Sequence, residues 1–496
     1  ETRWYGLAWL PLIILYIGLG RFVFHKESLP PLGKGVLVKW LSHPAVPFYL
    51  LAYSLSVSMI SLSYISPLSL TLAFGAAAII YLTSAYLFKA PSWIYAGLFA
   101  THMTVLAYFT INPSGRPAHY ITYPFLAMTW LTALFGYGVS RRITEPDTGL
   151  KNDAFKFSLI NRLFGHAWAR PFFAFAIVEM FIWQTVAMKG YDTTIILGSG
   201  HALLLALFSI LWGEGVLVYG VVGFGLLAIG AWMKQSGIAF TDAVAIYGGI
   251  GFGLYLLARL IEPLSSRIKS LTVWLTPLTY SAITLTAASV IINLPFVISH
   301  MTASAASMAF AGALYVAIAY RGRRYQLGYL GMALLEIAWA MAMYMNDVLQ
   351  PQWYAIPGGL YFMGLAYLEW QRNKSKYAIG IEILGLGILL ITSFIQSVNG
   401  AKGFPYFVIL MIESLLVISW GTIQKRKIPF FTGIVSTALN FIAQVIMLVN
   451  VGIINIWYVG LGTGLLIVGI AVFVELRREQ LRARIGEWTE ALEHWE

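Results

Sequence analysis

The sequence predicts an all-α integral membrane protein, a polytopic helical bundle of about seventeen transmembrane helices joined by short loops. Three observations support this fold class: the composition, long runs without charge, and an alternating distribution of basic residues. The 496-residue chain is 59% hydrophobic and only 11% charged, whereas soluble domains are roughly 25% charged. So much apolar surface exceeds what one soluble core requires, which favours a lipid environment.

Three runs without Asp, Glu, Lys or Arg are each long enough for two spans and a turn. They cover residues 40–88, 270–320 and 428–474, which is 49, 51 and 47 residues. One spanning helix takes roughly 20 apolar residues. Each run has turn-forming residues near its middle, at Ser66-Pro67, Asn293-Leu294-Pro295 and Asn450-Val451-Gly452. Each run is therefore predicted to be a helical hairpin, and continuous apolar runs favour helices over the alternating strands of a membrane barrel.

The predicted spans follow one another with few residues between them. In order, they cover residues 4–24, 46–63, 68–88, 91–111, 120–139, 169–188, 193–212, 215–233, 238–259, 272–293, 298–319, 327–346, 351–369, 377–398, 404–422, 429–449 and 452–474. Together they form one transmembrane domain, residues 1–474. Its longest cytoplasmic loops are predicted at about 25–44 and 140–170.

Basic residues test this succession of spans, because cytoplasmic loops collect Lys and Arg. With these spans, 27 of the 32 Lys and Arg residues fall on one side of the membrane. The other side receives Arg3, Arg116, Lys189, Lys234 and Lys402. The pattern predicts an outside N-terminus and a cytoplasmic C-terminus, in a plasma or inner membrane. It also attributes the net charge of +11 to interfacial residues that face the lipid bilayer, with no nucleic-acid partner.

The residues after the last span, 475–496, are predicted to form an amphipathic cytoplasmic helix. Large apolar residues recur there at intervals of three and four, as Leu481, Ile485, Trp488, Leu492 and Trp495. This segment contains four Arg and six Glu residues, a balance that does not suit anionic lipid. The stripe therefore predicts docking to a protein partner, or to the cytoplasmic face of the chain itself.

A few ionisable side chains fall inside predicted spans, where a charge at the bilayer centre costs roughly 2.5 to 3.5 kcal/mol. The candidates for an intramembrane ion or substrate site are Glu179, Glu336, Glu413, His102 and His201. Each also has a simpler interpretation, as a neutral group hydrogen-bonded to a neighbouring helix. Glu179 and Glu413 each follow a Pro-aromatic-Phe triplet, eight residues after the proline. Their spans are predicted to run in opposite directions, which is typical of an inverted-repeat transporter but also arises by chance in aromatic-rich spans.

Other polar and small residues predict helix packing. Asn440 and Gln444 lie four residues apart on one helix face, where amides join neighbouring spans by hydrogen bonds. Glycines at positions 248, 249, 251 and 253, and again at 460, 462 and 464, include GxxxG spacings. Such spacings are typical of closely packed membrane helices.

No cofactor, metal ion or catalytic centre is predicted. The chain contains no cysteine, which excludes thiolate zinc sites, iron–sulfur clusters and cysteine nucleophiles. Opposed histidines on two spans can bind haem, but His102 and His201 each stand without a second histidine deep in their own spans. The sequence has no phosphate-binding GxxxxGK[ST] motif.

Three functions remain open at the level of sequence. A transporter or flippase of unknown substrate fits a chain whose mass is intramembrane and whose buried ionisable residues are few and central. A non-catalytic structural or accessory subunit of a larger membrane complex fits the striped C-terminal helix. A membrane-embedded transferase fits less well, because the outward loops are short and show no nucleophile–base pairing. Convergence of the five candidate residues on one cavity would favour transport, whereas scatter would favour a scaffold.

Overall fold

The computed structural model describes residues 4–23, 44–111, 118–143, 158–322, 324–372, 375–398 and 403–450. These residues form seventeen α-helices, and all but one of them have at least 14 residues. No strand occurs in these ranges. The predicted all-α fold class is therefore confirmed for the part of the chain that the structure describes.

The helices are numbered in chain order. They are α1 Leu10–Val23, α2 Val46–Leu62, α3 Pro67–Leu87, α4 Ser92–Ile111, α5 Thr122–Arg142, α6 Ser158–Phe164, α7 Arg170–Ala187, α8 Tyr191–Trp212, α9 Val216–Gln235, α10 Phe240–Ser265, α11 Thr272–Asn293, α12 Met301–Gly322, α13 Tyr325–Met345, α14 Gln352–Gln371, α15 Ser375–Ser397, α16 Gly403–Gln424 and α17 Lys427–Asn450.

Eleven of these helices are long and apolar enough to cross a membrane: α2, α3, α8 to α13 and α15 to α17. The helix α1 is shorter, and α4, α5, α7 and α14 are also absent from that group. Helices α4, α5 and α7 carry polar side chains in their interiors, such as His102, Thr129 and Glu179, and α14 carries Glu369 near its end. These side chains lower the hydropathy of their helices.

The first sixteen predicted spans each coincide with one helix, to within six residues at their ends. The seventeenth predicted span, 452–474, lies outside the described residues. The predicted C-terminal helix, 475–496, also lies outside them, with Leu481, Ile485, Trp488, Leu492 and Trp495.

The contacts within the chain divide it into two compact units. The first contains the described residues of Glu1–Ala239 and Leu257–Ser281, and the second those of Phe240–Leu256 and Ala282–Glu496. Helices α10 and α11 contribute residues to both units.

In the first unit, α3 and α4 pack as one hairpin and α8 and α9 as another, while α5 packs against α7. Phe173 and Met180 of α7 are buried against Leu204 and Phe208 of α8 in one apolar cluster, which also includes Ala133 of α5. This packing holds α5, α7 and α8 together around α7. This packing fixes the positions of the polar side chains on α7.

In the second unit, α12 with α13, α14 with α15, and α16 with α17 form hairpins. Paired glycines bring the first two of these hairpins close. A Cβ atom on Gly331 would lie 2.8 Å from the carbonyl oxygen of Gly312, and one on Gly385 would lie 3.0 Å from that of Gly359. Small residues allow such close approach of membrane helices. Contact between α13 and α14 is less extensive, and a cleft lies between these two hairpins.

The predicted packing residues also join helices of the second unit. A Cβ atom on Gly251 of α10 would lie 3.0 Å from the carbonyl oxygen of Ala282 on α11. Asn440 of α17 donates to the carbonyl oxygen of Phe407 on α16 at 3.0 Å. Gln444 donates to that of Ser397 on α15 at 2.9 Å. The amides therefore bond neighbouring helices as predicted; the second glycine group, at 460–464, lies outside the described residues.

Candidate functional site

Three helices of the first unit bring a histidine, a glutamate and a threonine together. His102 lies near the middle of α4, Glu179 near the middle of α7, and Thr129 in the first half of α5. Only 8% of His102 and 5% of Glu179 is exposed, and Thr129 is fully buried. The two residues predicted from their depth in spans, His102 and Glu179, are thus side by side.

The contacts of this group are directional. His102 Nε2 contacts Glu179 Oε1 directly. The other ring nitrogen, Nδ1, lies 2.6 Å from the carbonyl oxygen of Leu98, one turn earlier on α4. The hydroxyl of Thr129 lies 2.8 Å from the carbonyl oxygen of Phe125 and 3.3 Å from Glu179 Oε2. The hydroxyl of Thr129 has one proton, so it donates to only one of these two oxygen atoms at a time.

These contacts suit a single proton between His102 and Glu179, although neither facing atom has a partner with hydrogen-bond geometry among the described residues. The carbonyl oxygen of Leu98 can only accept, so Nδ1 of His102 carries a proton and donates it. Nε2 of a neutral ring is then an acceptor, and an ionised carboxylate is also acceptor-only. Close contact between Nε2 and Oε1 is stable only when one further proton lies on one of them. The pair can therefore hold one proton between α4 and α7.

Aromatic rings enclose the pair. The ring centroid of His102 lies 5.5 Å from that of Phe175 and 6.2 Å from that of Phe125. Phe125 in turn stacks on Trp183, with 3.8 Å between the ring centroids. Apolar surroundings strengthen a satisfied hydrogen bond and make an unsatisfied one costly.

A second polar contact lies further along α7. His201 of α8 is fully buried, and its Nδ1 lies 3.2 Å from Oε1 of Gln184. Gln184 comes five residues after Glu179, about 7.5 Å further along the helix axis. Within the described part of the chain, His201 Nε2 and Gln184 Nε2 have no hydrogen-bond partner. Helix α7 thus carries two buried polar contacts on successive turns.

The remaining two candidates lie in the second unit. Glu336 of α13 lines the cleft between the hairpins, whose volume is about 830 Å³. Glu413 of α16 is 7% exposed, and Ser393 of α15 is the polar side chain that faces it. Among the described residues, neither carboxyl oxygen of Glu413 has a partner with hydrogen-bond geometry.

The five candidate residues are divided between the two units, with His102, Glu179 and His201 in the first and Glu336 and Glu413 in the second. His102 and Glu179 meet, His201 contacts the same helix as Glu179, and Glu336 and Glu413 occupy two other places. Glu179 and Glu413, which share a local sequence pattern, are both buried but lie in different units. The side chains that face them also differ: a histidine faces Glu179 and a serine faces Glu413.

Sequence reasoning missed a buried ion pair in the second unit. Arg426 Nη1 lies 2.9 Å from Glu382 Oε1, with side-chain exposures of 4% and 1%. The guanidinium of Arg426 also lies over the ring of Trp370, 5.1 Å from its centroid. Arg426 belongs to the basic triplet Lys425-Arg426-Lys427, which resembles any cytoplasmic loop. No local spacing links it to Glu382, 44 residues earlier in the chain.

An acidic group missed from the sequence lies at the end of α14. Glu369 is 8% exposed and accepts a hydrogen bond from the hydroxyl of Tyr329 at 2.5 Å. It also accepts one from Arg372 Nη1 at 2.8 Å. The spacing of Glu369 and Arg372, three residues apart on one helix, is a signal that could have identified this pair.

Neither a metal site nor similarity to a known protein indicates a function for this chain. Among the described residues, no three His, Asp or Glu side chains lie close enough together to hold a metal ion. No family model matches the chain, and neither a curated protein nor a solved structure shows significant similarity to it.

Proposed function

We propose that the chain is a proton-coupled transporter or flippase. The contact between His102 and Glu179 carries this proposal, because it holds one proton between two helices inside a membrane bundle. The proposed arrangement has about seventeen spans, an outside N-terminus and a cytoplasmic C-terminus, in a plasma or inner membrane. The charge distribution of the loops supports this orientation.

The mechanism follows from the acceptor chemistry of the pair. With the proton bound, Nε2 and Oε1 attract each other and hold α4 against α7. When the proton leaves, two acceptors face each other in apolar surroundings, so the contact is lost or a cation or water enters it. Proton binding and release therefore favour different arrangements of α4 and α7. A transporter uses such a bistable contact to couple a proton gradient to movement of its solute.

The test reconstitutes the chain in proteoliposomes that contain a pH-sensitive dye. A panel of lipids, amphipathic amines and small acids is added, and proton movement evoked by each solute is recorded. At least one solute is expected to move protons through the native chain. Glu179→Gln and His102→Gln should each reduce this coupled flux more than tenfold, because neither pair can hold and release the proton.

The matched control is Glu262→Gln, an acid-to-amide change at a carboxyl that pairs with Arg259 at the end of α10. It should leave the flux unchanged. Full proton coupling in both the Glu179 and the His102 variant would contradict the proposal. If no solute moves and the native chain purifies with another membrane protein, the accessory-subunit hypothesis replaces transport.

A further inference from the structure

We propose that the cleft between α12, α13 and α14, here called the α12–α14 cleft, binds an amphipathic organic amine. The ammonium group would lie against Glu336, and the apolar body would lie along the cleft. As a site for the transported solute, the cleft rests on the proposed function; as a binding site, it is independent of that function. The His102–Glu179 site does not depend on this cleft.

The cleft follows from the way the hairpins pack. Gly312 and Gly331 hold α12 and α13 close together, and Gly359 and Gly385 do the same for α14 and α15. The contact between α13 and α14 is less extensive, so space remains where the two hairpins meet. Its volume of about 830 Å³ is within the range of roughly 300 to 1,000 Å³ that small-molecule sites occupy.

The charge of the cleft determines which ligand it suits. Glu336 is the one charged side chain among the fifteen described residues that line it. The carboxyl of Glu336 makes no hydrogen bond or ion pair with another described residue, although Tyr361 lies close enough to interact with its charge. An unpaired carboxylate in an apolar site is costly. A cation offsets that cost, whereas an anion would increase it.

Tyrosines on the walls strengthen the preference for a cation. The hydroxyl of Tyr361 already donates to the carbonyl oxygen of Tyr329 at 3.1 Å, and the hydroxyl of Tyr329 donates to Glu369. The donor capacity of both hydroxyls is therefore used within the protein. Tyrosine ring faces attract ammonium groups, which is how aromatic sites recognise organic cations.

The rest of the cleft is apolar and can be reached from outside the unit. Its lining includes Val316, Met332, Leu365 and Leu368. Leu360, which also lines it, is 57% exposed. In a membrane, a helix-lined cleft with an exposed leucine is accessible to molecules dissolved in lipid. A ligand with one cationic group and a hydrocarbon body matches both parts of the cleft.

The experiment measures binding of tritiated dodecylamine and tritiated dodecanol to the chain in lipid nanodiscs, with empty nanodiscs as background. The two probes share one hydrocarbon chain and differ in charge. The native chain should bind the amine about tenfold more tightly than the alcohol. Glu336→Gln should reduce amine affinity to that of the alcohol and leave alcohol binding unchanged.

A second variant tests the place of binding without depending on charge. Gly364 lines the cleft, and a Cβ atom added there meets no atom within 4 Å, so Gly364→Phe places a ring at the wall of the cleft. It should abolish binding of both probes. The control is Gly358→Phe on the same helix, where an added Cβ atom also meets no atom within 4 Å and which does not line the cleft. It should bind like the native chain.

Each result is decisive for the binding site. Equal affinities for amine and alcohol, unchanged by Glu336→Gln, would show a purely apolar lipid cleft and overturn the proposal. Amine binding that survives Gly364→Phe, or no binding above empty nanodiscs, would also overturn it. Amine binding without solute-evoked proton flux would support the binding site and contradict the proposed transport. Coupled flux without amine binding would support transport and overturn the binding site.

Discussion

At the scale of single residues, the acids differ in the groups that contact their carboxyl oxygens. Glu179 contacts a histidine nitrogen, and the carboxyl oxygens of Glu413 lack partners with hydrogen-bond geometry among the described residues. Glu336 faces a cleft, and Glu382 faces an arginine. Substitutions at these positions should therefore affect stability to different extents, even though the sequence gives the four acids similar surroundings.

Amide substitutions at three of these acids should preserve the fold. In Glu179→Gln, the amide nitrogen donates to Nε2 of His102 and retains the contact without a titrating group. Glu336→Gln and Glu413→Gln replace a carboxyl by an amide of the same shape. The melting temperature of each variant in detergent, followed by tryptophan fluorescence, should stay within a few degrees of the native value.

The non-polar substitution Glu179→Leu is the contrasting variant. It leaves Nε2 of His102 buried without a partner, which costs about 1 to 3 kcal/mol. A loss of expression in all three amide variants would mean that the acids hold the fold together, and the proton site would lose its support.

The buried pair of Glu382 and Arg426 should respond much more strongly. Arg426→Ala leaves the Glu382 carboxyl buried without its counter-ion, and breaking such a pair costs about 3 to 5 kcal/mol. Arg372→Ala is the matched comparison, because Glu369 keeps its hydrogen bond from Tyr329 and the Arg372 side chain is 33% exposed. Thermal unfolding should show a much larger loss for Arg426→Ala. Equal losses would contradict the burial of this pair.

From the sequence, candidate residues could be identified only by their depth in a predicted span. His102 and Glu179 were identified because a polar group deep in a span is unusual. Their contact was not predictable, since 77 residues separate them and helix packing decides which faces meet. Arg426 was assigned to a loop from its basic neighbours, although only 3% of it is exposed.

At the scale of helices, apolar runs and turn residues predicted position well. The turn at Asn293-Leu294-Pro295, for example, lies where α11 ends and a short 3-10 helix follows. Which helices pair closely was less predictable, because it depends on glycines of two helices that meet face to face. Gly312 and Gly331 do not form a GxxxG motif on either helix, and only the packed hairpin shows that they are opposed.

Because Gly312 and Gly331 face each other, alanine at Gly331 should affect stability differently from alanine at Gly358. In Gly331→Ala, the new methyl group would lie 2.8 Å from the carbonyl oxygen of Gly312, so α12 and α13 must move apart. We expect a loss of stability of about 1 to 3 kcal/mol, as for overpacking of a core. Gly358→Ala meets no atom within 4 Å and should gain about 0.5 to 1 kcal/mol from helix propensity. Detergent melting curves of equal midpoint for the two variants would contradict the close hairpin.

At the scale of the whole molecule, the loops predict how the chain crosses the membrane. Reporter proteins fused after Arg142, Arg324 and Arg426 should be cytoplasmic, and those fused after Asp192, Asp347 and Lys402 should be outside. Arg142 ends α5 and Asp347 follows α13, so the fusions fall at helix ends and leave the spans intact. An activity assay of the reporters in cells reads the side directly. One reversed fusion would disprove the proposed succession of spans.

We propose that His102 and Glu179 share one proton. Infrared difference spectra of the reconstituted chain, recorded across a range of pH, measure the protonation of both side chains. The carboxyl signal of Glu179 and the imidazole signal of His102, assigned by isotope labelling, should change together at one pH. Glu179→Gln and His102→Gln should each remove both changes, while Glu413→Gln retains them. Two signals that titrate independently, or a Glu179 signal that persists unaltered in His102→Gln, would contradict the shared proton.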